Sequence, residues 1–238
     1  MQKSKVNILS TRLVGKALVE EAAMHDIIID EISFINTEEE IIDSAIAKKI
    51  ERLSHENINA VFTSMNAVQA VRKFIPSNSS WKIFCIGNTT KKLVKNIFGE
   101  ESIAGTGDNA LHLAENIISH TAIKKVYFFC GDQRRDELPV TLKDNNVEIE
   151  ELVVYKTKQT PQVITKKYDG ILFFSPSAVQ SFFSKNSIQP NTQVFAIGNT
   201  TANALKPFSE QHAITANMPG KKNLVCQAIN YFSKPQIS

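Results

Sequence analysis

Residues able to do chemistry recur in this sequence at one kind of place, directly behind short apolar runs. Ser64 and Asn66 follow residues 60–62, and Thr89 and Thr90 close a Gly-Asn-Thr-Thr segment behind 83–86. Ser175 and Ser177 follow 171–174, while Gly198, Asn199, Thr200 and Thr201 follow 194–197. Residues 105–108 form a similar small, polar stretch. Together these segments offer many neutral hydroxyl, amide and backbone N–H donors, a set suited to holding carboxylates. Serine, threonine and asparagine also cap helices where no ligand exists. What argues for function is that Gly-Asn-Thr-Thr stands at both 87–90 and 198–201, when many other sequences would cap equally well. Arg12, behind 8–10, and the pair Arg134 and Arg135, behind 126–129, add guanidinium groups able to grip a carboxylate bidentately. Tyr155 ends the run 152–154, and its phenol, neutral at pH 7, could donate a proton to a leaving group.

Other chemistries find no support. His25, His55, His112, His120 and His212 have neither metal-site nor triad spacing, so no metal is expected. Cys85, Cys130 and Cys226 are far apart and never in a C-x-x-C spacing, and the first two sit in apolar runs that suit buried, reduced thiols. Neither G-x-G-x-x-G nor G-x-x-x-x-G-K-[ST] occurs, which leaves no case for a nucleotide cofactor. The 27 basic and 24 acidic side chains give a net charge of +3 without a block of one sign, unlike the clustered basic face that nucleic acid requires. No apolar run approaches the roughly 20 residues needed to span a bilayer, and residues 1–5 lead straight into an apolar run without a signal-peptide core. A cytoplasmic, monomeric protein is expected.

The elements that must position these residues are α/β in character. Apolar, β-branched runs at 6–9, 60–62, 83–86, 126–129, 171–174 and 194–197 alternate with amphipathic stretches, which predicts parallel sheets covered on both faces. Thr37 and Glu40 have capping-box spacing ahead of Ile41, Ile42, Ala45, Ile46, Ile50 and Leu53, which recur at helical intervals. Pro176 behind Ser175 reads as a first-turn proline behind a capping serine. Residues 27–35 and 147–155 read as longer strands with interleaved charges (Asp30 and Glu31; Glu148, Glu150 and Glu151).

The chain also repeats itself. Residues 62–69 align with 173–180, and 86–90 with 197–201, both at an offset of 111 that also carries Ile103 onto Ile214 and Leu113 onto Leu224. A weaker offset of 120 sets Glu31 on Glu151 and Thr37 on Thr157. Such a period is far longer than the roughly 20–50 residues of solenoid repeats. The expectation is an internal duplication giving two parallel-sheet α/β lobes around a ligand cleft: 1–33 with 158–238, and 38–150, joined by a two-stranded connector of 27–37 and 147–157.

Several of these segments carry a resemblance to a known family. The chain resembles uroporphyrinogen-III synthases in its opening strand with Thr11-Arg12, in Phe62-Thr-Ser64 with Asn66-Ala-Val, in Tyr155-Lys-Thr157, in Phe174-Ser-Pro-Ser-Ala-Val179, and in residues 196–202. That resemblance implies two α/β lobes on a two-stranded connector and no cofactor. It implies a lyase that removes water from hydroxymethylbilane, a linear tetrapyrrole, and closes the ring with inversion of the last pyrrole. It would make Tyr155 the residue assisting hydroxyl departure, and Ser64, Ser175, Ser177, Thr200 and Thr201 substrate contacts. Met65 departs from the family's pattern, in which proline commonly follows the first serine. On the residues alone, a cytosolic two-lobed protein that binds a small polyanion without catalysis is the rival reading. A receiver-like phosphoacceptor domain would need an aspartate at a strand's carboxyl end, where Asp132 is the nearest candidate.

Overall fold

A computed structural model describes residues 5–38, 43–76, 79–209, 212–218 and 220–233. In chain order the elements are β1 (Val6–Ser10), α1 (Lys16–Ala23), β2 (Ile27–Glu31), β3 (Ile35–Glu38), α2 (Ser44–Leu53), β4 (Asn59–Phe62), α3 (Met65–Arg72), β5 (Lys82–Ile86), α4 (Asn88–Phe98), β6 (Ile103–Gly107), α5 (Ala110–Ser119), β7 (Lys125–Gly131), α6 (Glu137–Asp144), β8 (Glu148–Gln159), β9 (Gly170–Phe173), α7 (Pro176–Phe183), β10 (Gln193–Ala196), α8 (Asn199–Leu205), β11 (Ile214–Thr215) and α9 (Lys221–Ser233). They fall into two compact units, Met1–Asn36 with Lys158–Ser238, and Thr37–Thr157.

The first unit is built on a sheet in the order β11-β10-β9-β1-β2, parallel at each junction. Parallel strands bury both faces, so successive side chains serve opposite cores. Ile8, Leu172 and Phe195 join one apolar cluster with Leu224, Val225 and Ile229 of α9. Their neighbours Leu9, Phe173 and Val194 join the other, with Val179 and Phe182 of α7. The second unit has the sheet order β3-β8-β7-β4-β5-β6, parallel from β8 through β6. There Phe62, Cys85 and Phe129 pack with α2, α3 and α4, while Val61, Phe84 and Phe128 pack with α5 and α6. Reading the second sheet from its far edge, β6-β5-β4-β7-β8 matches β11-β10-β9-β1-β2 in spatial order, but β6 leads into β7 through α5, whereas β1 precedes β9, β10 and β11 in the chain.

Local structure departs from the sequence expectation at four points. Residues 27–35 are not one strand. β2 stays in the first sheet, and the chain then turns at Phe34, which is fully buried with its ring against Phe182 at 5.3 Å, before β3 joins the second. Thr37 lies in β3 and caps no helix. α2 opens instead behind Asp43, whose carboxylate accepts from the Ala45 amide at 3.0 Å, nearer the apolar face it serves; Glu40, Ile41 and Ile42 lie outside the described residues. Residues 105–107 belong to β6 rather than following it, and the cap of α5 is Asn109, which accepts from the His112 amide at 2.9 Å. β8 continues past Tyr155 to Gln159.

Candidate functional site

In the second unit, β4 delivers the chain to Ser64, whose extended backbone lets its Oγ accept from the Asn66 amide at 3.1 Å. This cap starts α3, which buries Ala67, Val68, Ala70 and Val71 against the sheet and so fixes the serine. The Ser64 hydroxyl also lies close enough to the Tyr155 phenol to act on its ionisation. That partnership depends on an irregularity in β8. Cys130 of β7 is opposite Val153, but Gly131 is opposite Tyr155, so β8 carries one extra residue. In a regular strand Tyr155 would share a face with Val153. The bulge turns it to the other face, where it packs with the cluster of Phe62, Phe129, Leu152 and Val154.

Burial is the largest influence on the half-buried Tyr155 phenol and raises its pKa above the ordinary tyrosine value; the nearby Ser64 hydroxyl pulls it down, and Cys130 and Asp132 raise it further. The group is therefore held neutral and is competent as a proton donor. The loop behind β7 ties down the strand that carries it. The Asp132 amide donates to the Tyr155 carbonyl at 3.2 Å, and Asp132 Oδ1 accepts from the Thr157 amide at 2.9 Å. The next loop residues are engaged within the unit: Arg134 forms ion pairs with Glu151 and Asp136, whereas Arg135 is exposed.

The first unit repeats the cap without the phenol. Ser175 Oγ accepts from the Ala178 amide at 3.1 Å, and Pro176 occupies the first helical turn. Ser177 and Thr200 are half-buried and Asn199 is exposed. Thr11 is anchored to the Leu172 carbonyl by its Oγ1 at 2.8 Å, and next to it the Arg12 guanidinium lies 5.7 Å from the centre of the Phe174 ring. Among the described residues Arg12 has no carboxylate partner. Arg12 is exposed, yet partial desolvation by the protein around it lowers its pKa from the usual arginine value, and a guanidinium stays charged at any physiological pH.

The two Gly-Asn-Thr-Thr segments open α4 and α8. Thr90 and Thr201 are buried, at 5% and 2% exposure, so the more accessible hydroxyls are those of Thr89 and Thr200. Gly87 and Gly198 stand at the caps and leave the first amides of each helix without a side-chain acceptor from the cap residue. Among the described residues there is no group of three or more His, Cys, Asp or Glu able to hold a metal ion, and no helix long and apolar enough to cross a membrane. Sequence reasoning did not find Gly131 and Phe174 as supports of Tyr155 and Arg12. Gly131 was visible only as a loop glycine, and Phe174 only as the end of an apolar run.

Comparison with known proteins shows the family. The family model described as uroporphyrinogen-III synthase HemD matches residues 16–226. The chain belongs to the uroporphyrinogen-III synthase family. It is accordingly an enzyme, a cyclising lyase that converts hydroxymethylbilane to uroporphyrinogen III with inversion of the last pyrrole ring, in porphyrin biosynthesis. Two solved structures share its fold. A mutant uroporphyrinogen III synthase from Thermus thermophilus has a TM-score of 0.65 at 11% identity, covering 95% of this chain and 98% of its own. Uroporphyrinogen-III synthetase from Helicobacter pylori has a TM-score of 0.65 at 17% identity, covering 95% of this chain and 99% of its own.

Proposed function

We propose that Tyr155 is the proton donor to the departing hydroxyl of hydroxymethylbilane, and that the strand-end donors of both units hold its acetate and propionate groups. The half-buried place of Tyr155 beside Ser64, against the apolar cluster of Phe62 and Phe129, carries this reading, because burial keeps the phenol protonated. The pyrrole nitrogen lone pair drives scission of the C–O bond, the oxygen takes the phenolic proton, and water leaves. A cationic azafulvene and a phenolate result together, and the cation offsets the cost of ionising a half-buried phenol. The substituted carbon of the terminal pyrrole then attacks the azafulvene carbon to give a spiro intermediate, which reopens and closes at the free α-carbon of that pyrrole, and the proton this carbon gives up restores the phenol. Holding a flexible bilane folded supplies much of the rate and the choice of isomer.

For that holding we propose Arg12 as the charged anchor. Ser64, Asn66, Ser175, Ser177, Thr89, Thr200 and Asn199 would contribute neutral donors, and Gly198, Thr90 and Thr201 would shape the turns that present them. We further infer an internal duplication, with lobes of 1–33 plus 158–238 and of 38–150 and a connector of 27–37 and 147–157. The shared offset of 111 and the matching strand orders support it. A monomeric enzyme working in the cytoplasm completes the proposal.

The test is to supply enzymatically generated hydroxymethylbilane, oxidise the products and separate the uroporphyrin isomers. Wild-type protein is expected to give type III, and Tyr155→Phe type III at a much lower rate. Unchanged turnover by Tyr155→Phe would remove the acid role.

A further inference from the structure

Gly131 is a glycine for a reason its backbone does not supply. It does not have the positive φ seen at Gly15, Gly87, Gly99 and Gly220, so an alanine would be unstrained there as far as the main chain is concerned. The space beside it is what excludes a side chain. A Cβ at this buried position would lie 2.5 Å from both Cε2 and Cζ of Tyr155 and 2.8 Å from its hydroxyl, nearer than real Cβ contacts come. The displaced group would be the ring itself. This is the residue opposite Tyr155 in the register, directly after the bulge that turns Tyr155 toward Ser64.

We infer that Gly131 is a positioning residue for the reaction: the bulge at 153–155 chooses the face on which Tyr155 emerges, and the missing side chain at 131 lets the phenol lie close enough to the sheet to meet Ser64. The inference rests on the acid role proposed for Tyr155, but the two are separable by experiment. Three features act as a unit. Without the bulge, alternation sends the ring to the face of Val153. Without the glycine, the ring is pushed off the sheet. Without Ser64, the phenol loses the neighbouring hydroxyl that lowers its pKa.

The experiment follows Tyr155 directly, with tyrosine labelled by 13C at Cζ and the Tyr155 resonance assigned among the four tyrosines by its loss in Tyr155→Phe. In Gly131→Ala the resonance is expected to move and the phenol to titrate at lower pH than in the wild type, because it leaves its buried place. With hydroxymethylbilane, kcat is expected to fall about as far as in Tyr155→Phe, roughly 100-fold as for loss of a general acid, with KM within about twofold, because a displaced acid acts on the chemical step. Gly131→Ala combined with Tyr155→Phe should be no slower than Tyr155→Phe alone, since no hydroxyl remains to misplace. An unmoved resonance in folded Gly131→Ala overturns the positioning role, whatever happens to kcat. A moved resonance with unchanged kcat overturns the acid role and leaves the positioning intact. Should Gly131→Ala fail to fold, Gly131→Ala with Tyr155→Leu decides: a folded double variant shows that the ring contact was at fault, and an unfolded one shows that the glycine serves something else.

Discussion

The turns that begin at Ser64 and Ser175 stand 111 residues apart, and both close the first turn of a helix with a serine Oγ at 3.1 Å from an amide. Their surroundings differ. Beside Ser64 stands a half-buried phenol, admitted by Gly131 and turned inward by a bulge. In the first unit, two residues behind β1, the counterpart of β7, stands Arg12, lying over Phe174. On the roles proposed above, one unit contributes a neutral acid and the other a cation, and these would meet different needs of a polycarboxylate substrate whose hydroxyl must leave as water. The difference also warns against reading a repeated capping serine as a repeated function. The cap is a requirement of each helix; the chemistry depends on what the neighbouring strand brings to it.

Replacing Tyr155 by Phe should give the largest loss, about 100-fold in kcat as for removal of a general acid, measured as uroporphyrinogen III formed under saturating substrate. Arg12→Ala should act on the other quantity. Losing a charge-assisted hydrogen bond worth about 1.5–3 kcal/mol raises KM by roughly 10- to 100-fold while kcat changes little, and a fall in kcat alone would dissolve the division between the two regions. Ser64→Ala and Ser175→Ala should each cost about 1 kcal/mol of stability for the lost cap, read by urea unfolding. Only Ser64→Ala should also lower kcat, by several-fold, and equal kinetic effects would contradict the asymmetry. The smallest contrast concerns the glycines before the two Asn-Thr-Thr turns. Gly87 has a φ of 65°, whereas Gly198 is extended at −179°, with open space where a Cβ would stand. Gly87→Ala should therefore destabilise by about 1–3 kcal/mol, and Gly198→Ala by much less.

Much of this arrangement was legible in the sequence because it is local. Ser175 before Pro176, and Ser64 before Asn66, sit where apolar runs give way to helical spacing, and both are caps. The α/β character followed from the near-continuous apolar strands, with Leu9 and Ile8 each buried on its own face. What escaped depends on register or on distant partners. One extra residue in β8 leaves no trace in composition, yet it decides the face on which Tyr155 lies. Arg134 looked free to bind a carboxylate until Glu151, from the neighbouring strand, was found paired with it. Residues 27–35 looked like one strand because their alternation runs on; burial of Phe34 breaks it. Sequence reasoning could likewise not separate buried Thr90 and Thr201 from accessible Thr89 and Thr200, since all four stand within a first helical turn.

The central claim is that the Tyr155 phenol delivers a proton, and its pH dependence tests this most directly. Burial raises the phenol's pKa above the ordinary value of about 10, so the protonated, active form persists through neutral pH and activity is lost only as pH rises through that elevated value. Fluorinated tyrosine placed at position 155 lowers the phenol's own pKa without removing the hydroxyl. The alkaline limb of kcat against pH is expected to move down in step with that lowering; a limb that stays in place would contradict proton donation by Tyr155.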